Sequence, residues 1–153
     1  MPRHGAGVRR VLERNLARKG VVVHALARVT AVTAEAVIAN GQSIAADAVV
    51  WVTGASPPAW LATCGLARNE QGFLDINHHL QSTTQPQVFA AGDCATISGC
   101  VYPKSGVYAV RQGPVLAQNV LRALRGEPLE SYTPQPRALA LISTGEQHAV
   151  ASW

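Results

Sequence analysis

"VFAAGDCA", residues 88–95, ends an apolar run in a glycine and an acid, and small residues follow at once. An acid at the end of a buried run is costly unless something uses it. In open α/β sheets, ligands sit outside the carboxyl ends of strands, where small residues let them approach the backbone. Asp93 there could accept hydrogen bonds from ligand hydroxyls. Equally, Gly92-Asp93 could be no more than a turn whose acid caps its own backbone. This stretch alone leaves both readings open.

Working outward, "YPKSGVYAV" (102–110) opens an apolar-periodic stretch that predicts a helix from Gly106 to Arg125. Val107, Val110, Val120, Leu121 and Leu124 are expected along one side, with a kink or break at Gly113-Pro114. Gly126 and Pro128 end it. Upstream, Asp47 precedes "AVVWV" (48–52), a continuous apolar run that suits a strand covered on both faces. Asn40-Gly41, between "EAVIA" and "QSIAA", predicts a hairpin, because both turn positions tolerate positive φ. Val29 and Val32 lie in a stretch of strand composition. "VVVHAL" (21–26) predicts a buried strand. Residues 6–19 read as a helix, with Val8, Leu12 and Leu16 on one face.

"SPPAWLATCGL" (56–66) predicts a short helical turn. "GFLDI" and "VFAA" predict strands around a polar turn, and a last strand is expected to begin near Ala138. The order of elements fits an α/β layer architecture.

The 153 residues suffice for a hydrophobic core, and 48% apolar with 14% charged residues argues against disorder. Residues 1–20 hold six of the 13 Lys and Arg residues and one acid, a net +5; the remainder nets −1. The basic character therefore belongs to one segment without aromatics. That predicts a solvated helix face, not a nucleic-acid surface. No apolar stretch is long enough to span a membrane, and no signal-peptide pattern is present, so a cytoplasmic chain is expected. Cys64, Cys94 and Cys100 have no CxxC spacing and read as reduced thiols. Adjacent His78 and His79 would point to opposite faces of a strand, so a polar turn is expected there and no metal site. Gly5-x-Gly7 has Arg10 where a third glycine would stand and no strand before it; it is not a dinucleotide fingerprint.

"ADAVVWVTGA", "VFAAGDCA" and "YPKSGVYAVRQGPVLAQNVL", in this order, resemble the C-terminal half of the FAD-dependent pyridine nucleotide-disulfide oxidoreductases. The likeness is to the type II NADH dehydrogenase-like members, above all the flavoprotein module fused to selenophosphate synthetase, and the tail "ALALISTGEQHAVAS" shares it. The resemblance implies a partial FAD/NAD(P)-binding two-dinucleotide-domain fold. Residues 1–53 would be the end of the NAD(P)-binding domain and 54–130 the C-terminal segment of the FAD-binding domain. Residues 131–153 would begin a C-terminal interface region, and Thr53-Gly54 would mark the return to the flavin domain. Gly92 and Asp93 would lie at the ribityl chain of FAD, with Ser105, Gly106 and Val107 at the pyrimidine edge of the ring. A helix N-terminus suits that electron-rich edge. Lys104 could add a positive charge there or be a surface lysine.

The implied activity is an FAD-dependent NAD(P)H oxidoreductase passing electrons to a quinone or similar small-molecule acceptor, with no protein nucleophile. The glycine-rich motifs for the FAD pyrophosphate and for NAD(P)H are absent from these residues, so the chain reads as a fragment. The full-length parent would be cytoplasmic or peripheral to the inner membrane. The alternative is a non-catalytic accessory domain that packs on a partner and self-associates through exposed apolar surface.

Overall fold

A computed structural model describes residues 4–153; Arg3 of the basic segment lies outside the described residues. The chain divides into two compact units. One comprises the residues up to Val52 with Leu139–Trp153; the other is Thr53–Ala138.

In the first unit, α1 (Ala6–Arg18) buries Leu12 and ends at Lys19 before Gly20, whose φ is +73°. Strands β1 (Val29–Val32), β2 (Ala36–Ala39) and β3 (Gln42–Ala45) form an antiparallel meander. The expected hairpin is present. Ala39 pairs with Gln42, and both turn residues, Asn40 and Gly41, have positive φ. That turn matches the right-handed twist of its strands.

Two expected strands are not formed. Val21–Val23 and Val49–Val52 run outside any sheet, and Val22, Val50 and Val52 are three-quarters or more exposed. Their composition is that of a doubly covered strand, but no described strand pairs with them. β-propensity without neighbouring backbone makes no ladder. The last strand begins near its expected place, as β6 (Ala140–Gly145), and pairs with β7 (His148–Ser152).

In the second unit, the turn at Ala59–Ala62 takes the expected helical form. Strand β4 (Leu74–Ile76) pairs in parallel with β5 (Ala95–Ile97), in register Leu74↔Ala95 to Ile76↔Ile97. The core forms here. Ile76, Leu80 and Ile97 are fully buried, with Leu61, Leu74 and Tyr132 around them. Each such aliphatic side chain contributes roughly 1.5–3 kcal/mol by leaving water.

"VFAA" is not a strand. It makes one antiparallel bridge, Gln81↔Phe89, with backbone bonds Ser82 N to Val88 O and Ala90 N to Leu80 O. The Gly92-Asp93 turn therefore leads into a parallel strand, β5, and does not close one.

Helix α2 spans Gly106–Arg125 without a break at Pro114. The ring costs one backbone bond, to Val110. Gly126, at φ +67°, closes the helix, and Glu127 N bonds Arg122 O at 2.9 Å. Its orientation reverses expectation. Tyr108, Gln112 and Asn119 are buried, whereas Val107, Val110, Val120, Leu121 and Leu124 are exposed. The buried amides have partners. Asn119 Nδ2 donates to His79 O and Glu130 O, and its Oδ1 accepts from Glu130 N at 2.7 Å. A side chain that satisfies three backbone groups belongs inside whatever its hydropathy.

Candidate flavin site: the Gly92-Asp93 turn and the start of α2

The turn Gly92–Cys94 packs against α2 within the second unit. Gly92 has φ +76°, and a Cβ built there would stand 3.3 Å from Ala109 Cβ. Glycine is thus favoured twice, by conformation and by the close helix. The Gly92 N–H donates to Gln112 Oε1 at 2.6 Å. Gln112 is 1% exposed, and its Nε2 lies 3.4 Å from the Tyr102 hydroxyl, which also accepts from Ile97 N at 3.2 Å. Asp93, next to this pinned glycine, is exposed.

Ser105 precedes α2 in extended conformation, and its side chain makes no capping bond. The first amides of the helix, at Gly106 and Val107, thus keep their N–H groups open, where the dipole favours negative charge. Beyond its chain neighbours and the backbone of its own helix, no atom lies within 4 Å of the place a Gly106 Cβ would take.

Lys104 is partly buried. Its ammonium donates to Ala95 O and, at 2.8 Å, to Thr96 Oγ1. It sits 4.4 Å from the centre of the Phe73 ring and 5.5 Å from that of Tyr102. Burial holds its pKa below 10.5, against the opposing pull of Asp93 and Cys94. The Tyr102 hydroxyl is pushed above its ordinary range, chiefly by the same burial. Tyr102 stacks on Tyr108 with ring centres 5.4 Å apart.

Of the residues singled out from sequence, Gly92 and Asp93 fall on one turn, and Ser105, Gly106 and Val107 at the entrance of the helix it packs on. Lys104 lies beside them, with its ammonium engaged by β5. Sequence reading missed Gln112, Tyr102 and Phe73. The four-residue step from Tyr108 to Gln112 was the available signal, but a glutamine on a helix reads as solvent-facing.

The other candidates serve local structure. His78 and His79 bond Tyr132 O and Glu130 O through Nδ1. Cys64 and Cys94 donate to carbonyls of their own turns, and all three cysteines are free thiols. Among the described residues no cluster could hold a metal, and no helix is long and apolar enough to cross a membrane.

The chain has part of the FAD/NAD(P)-binding oxidoreductase fold. An FAD-dependent pyridine nucleotide-disulphide oxidoreductase from Desulfovibrio vulgaris has that fold. It matches with a TM-score of 0.62 and 26% identity, over 84% of this chain and 34% of its own. The pyridine nucleotide-disulphide oxidoreductase pattern matches residues 1–119, and the chain belongs to that family. Ferroptosis suppressor protein 1 of Xenopus tropicalis is 32% identical over 116 residues, covering 74% of this chain and 30% of the relative. The type II NADH:quinone oxidoreductase of Haemophilus influenzae is 29% identical over 97 residues, 61% of this chain and 22% of the relative. The chain thus spans less than a third of the length of these curated relatives.

Proposed function

We propose that this chain supplies the ribityl and ring-edge part of a flavin site in an FAD-dependent NAD(P)H oxidoreductase. The observation that carries the reading is the joining of Gly92-Asp93 to the α2 entrance, with Gly92 pinned from inside the helix. The residues fit the group. Gly92 lets it approach the backbone, and the exposed Asp93 carboxylate is open to accept from ribityl hydroxyls. The Gly106 and Val107 amides, with Ser105 before them, face an electron-rich ring edge. Lys104 adds positive charge nearby while bonded to Ala95 and Thr96.

FAD, when bound, supplies the two-electron chemistry between a nicotinamide nucleotide and an acceptor. This chain's residues hold and orient it and bias its electronics through the helix dipole. The likeness to the NADH:quinone oxidoreductase of Haemophilus influenzae supports a quinone or a similar small molecule as acceptor. The division of the chain after Val52 supports reading Thr53-Gly54 as the passage from nucleotide domain to flavin domain. On this reading the exposed valine runs, Val21–Val23 and Val49–Val52, are strands awaiting their sheet. The tail's resemblance to the flavoprotein module fused to selenophosphate synthetase supports a place among the type II NADH dehydrogenase-like members.

The second reading, a packing module without cofactor, rests on the exposed apolar stripe of α2. An FAD titration followed by absorbance separates the two. Saturable uptake that Asp93→Ala weakens supports the flavin site, and folded colourless protein supports the packing module.

A further inference from the structure

We propose that Gln112 is the positioning residue of this site. It fixes the Gly92-Asp93 turn in its ligand-ready shape, and the Tyr102 hydroxyl in turn fixes Gln112. The inference rests on the flavin reading above and names the residue on which that site's geometry depends.

Gly92 offers Gln112 only a donor, so the amide must present Oε1 to it and Nε2 elsewhere. Nε2 faces the Tyr102 hydroxyl, whose oxygen also accepts from Ile97 N. The chain of bonds runs from the turn, through the middle of α2, to the end of β5. It ties together the turn, the helix and the strand that follows the turn. Gln112 is 1% exposed, so water does not substitute for either end of its amide. Asp93 has no such internal tether, and its place is set through the glycine before it. Gln112 touches Gly92, not the proposed ligand atoms, and acts through that residue.

Gln112→Met keeps length and flexibility but removes both polar ends. Gln112→Glu keeps an oxygen that accepts from Gly92 whether the carboxyl is charged or neutral. Tyr102→Phe leaves the Gly92 bond and frees the far end of the amide. Each is compared with the unsubstituted chain by hydrogen exchange of individual backbone amides without flavin, and by FAD titration.

Losing one such bond is expected to speed exchange at Gly92 by about tenfold and to weaken FAD by about tenfold, with the amides deeper in α2 unchanged. Gln112→Glu is expected to restore both. Tyr102→Phe is expected to loosen Gly92 by a few fold, and it keeps the test alive if Gln112→Met unfolds. Unchanged exchange and affinity in folded Gln112→Met, no rescue by Gln112→Glu, or a tightly protected Gly92 in Tyr102→Phe would each overturn the proposal. An unsubstituted chain that takes up no FAD would instead remove the flavin reading, and exchange at Gly92 would then decide the clamp alone.

Discussion

Gly92 and Ala109 stand so close that a single methyl on the glycine would lie 3.3 Å from the alanine's own Cβ. The turn meets the helix across the Ala109 methyl and the Gln112 amide, which brings Asp93 near the first turns of α2. Gly92→Ala therefore meets two penalties. A left-handed φ costs a non-glycine residue about 1–2 kcal/mol, and the new methyl must push on the helix. Urea denaturation is expected to show a loss of about 2 kcal/mol, together with loss of flavin uptake.

Asp93 makes the opposite case. It is exposed, so Asp93→Ala is expected to change stability by less than about 0.5 kcal/mol. A carboxylate accepting from ribityl hydroxyls is worth about 1.5–3 kcal/mol. FAD affinity is thus expected to fall ten- to a hundredfold in a protein with an unaltered melting curve. Equal losses of stability and affinity would contradict this division of labour.

Lys104 predicts a pH dependence. Burial depresses its folded pKa below 10.5, its unfolded value. Between the two, the unfolded chain binds the extra proton, so this group makes stability rise with pH across that window. Below the window its desolvation penalty is fully present. Thermal melts of the unsubstituted chain and Lys104→Met, compared as pH approaches 10.5, are expected to differ by that rise. Tyr102 and Tyr132, both pushed upward by burial, act in the opposite sense in both proteins and drop out of the difference.

Val107, Val110, Leu121 and Leu124 recur on α2 at three- and four-residue steps with Pro114 and Ala117 between them, all exposed. Such a stripe drives association unless covered. The chain is expected to self-associate, and Leu121→Glu with Leu124→Glu to shift it toward monomer in sedimentation velocity without loss of helicity. A monomeric unsubstituted chain would show the stripe to be tolerated in water.

Much of this arrangement was legible in the residues. Asn40-Gly41 specified its hairpin because positive φ at two consecutive positions has few other uses. Gly126 specified the end of α2 for the same reason. The start of α2 at Gly106 followed from the apolar period that opens there, whereas Gly92-Asp93, read as the end of a strand, precedes one instead. The valine runs were not legible, because strand formation depends on neighbours that a local pattern does not contain. Nor was the buried face of α2. Tyr108, Gln112 and Asn119 are inside because specific backbone groups need them, and hydropathy is blind to such partners.

The most direct test of the central claim is a chemical-shift map of the isotope-labelled chain titrated with riboflavin, which has the ring and the ribityl chain but no phosphate. Saturable shifts are expected at the backbone amides of Gly92, Asp93, Gly106 and Val107, lost in Asp93→Ala. Shifts clustered elsewhere, or none in folded protein, would contradict that claim.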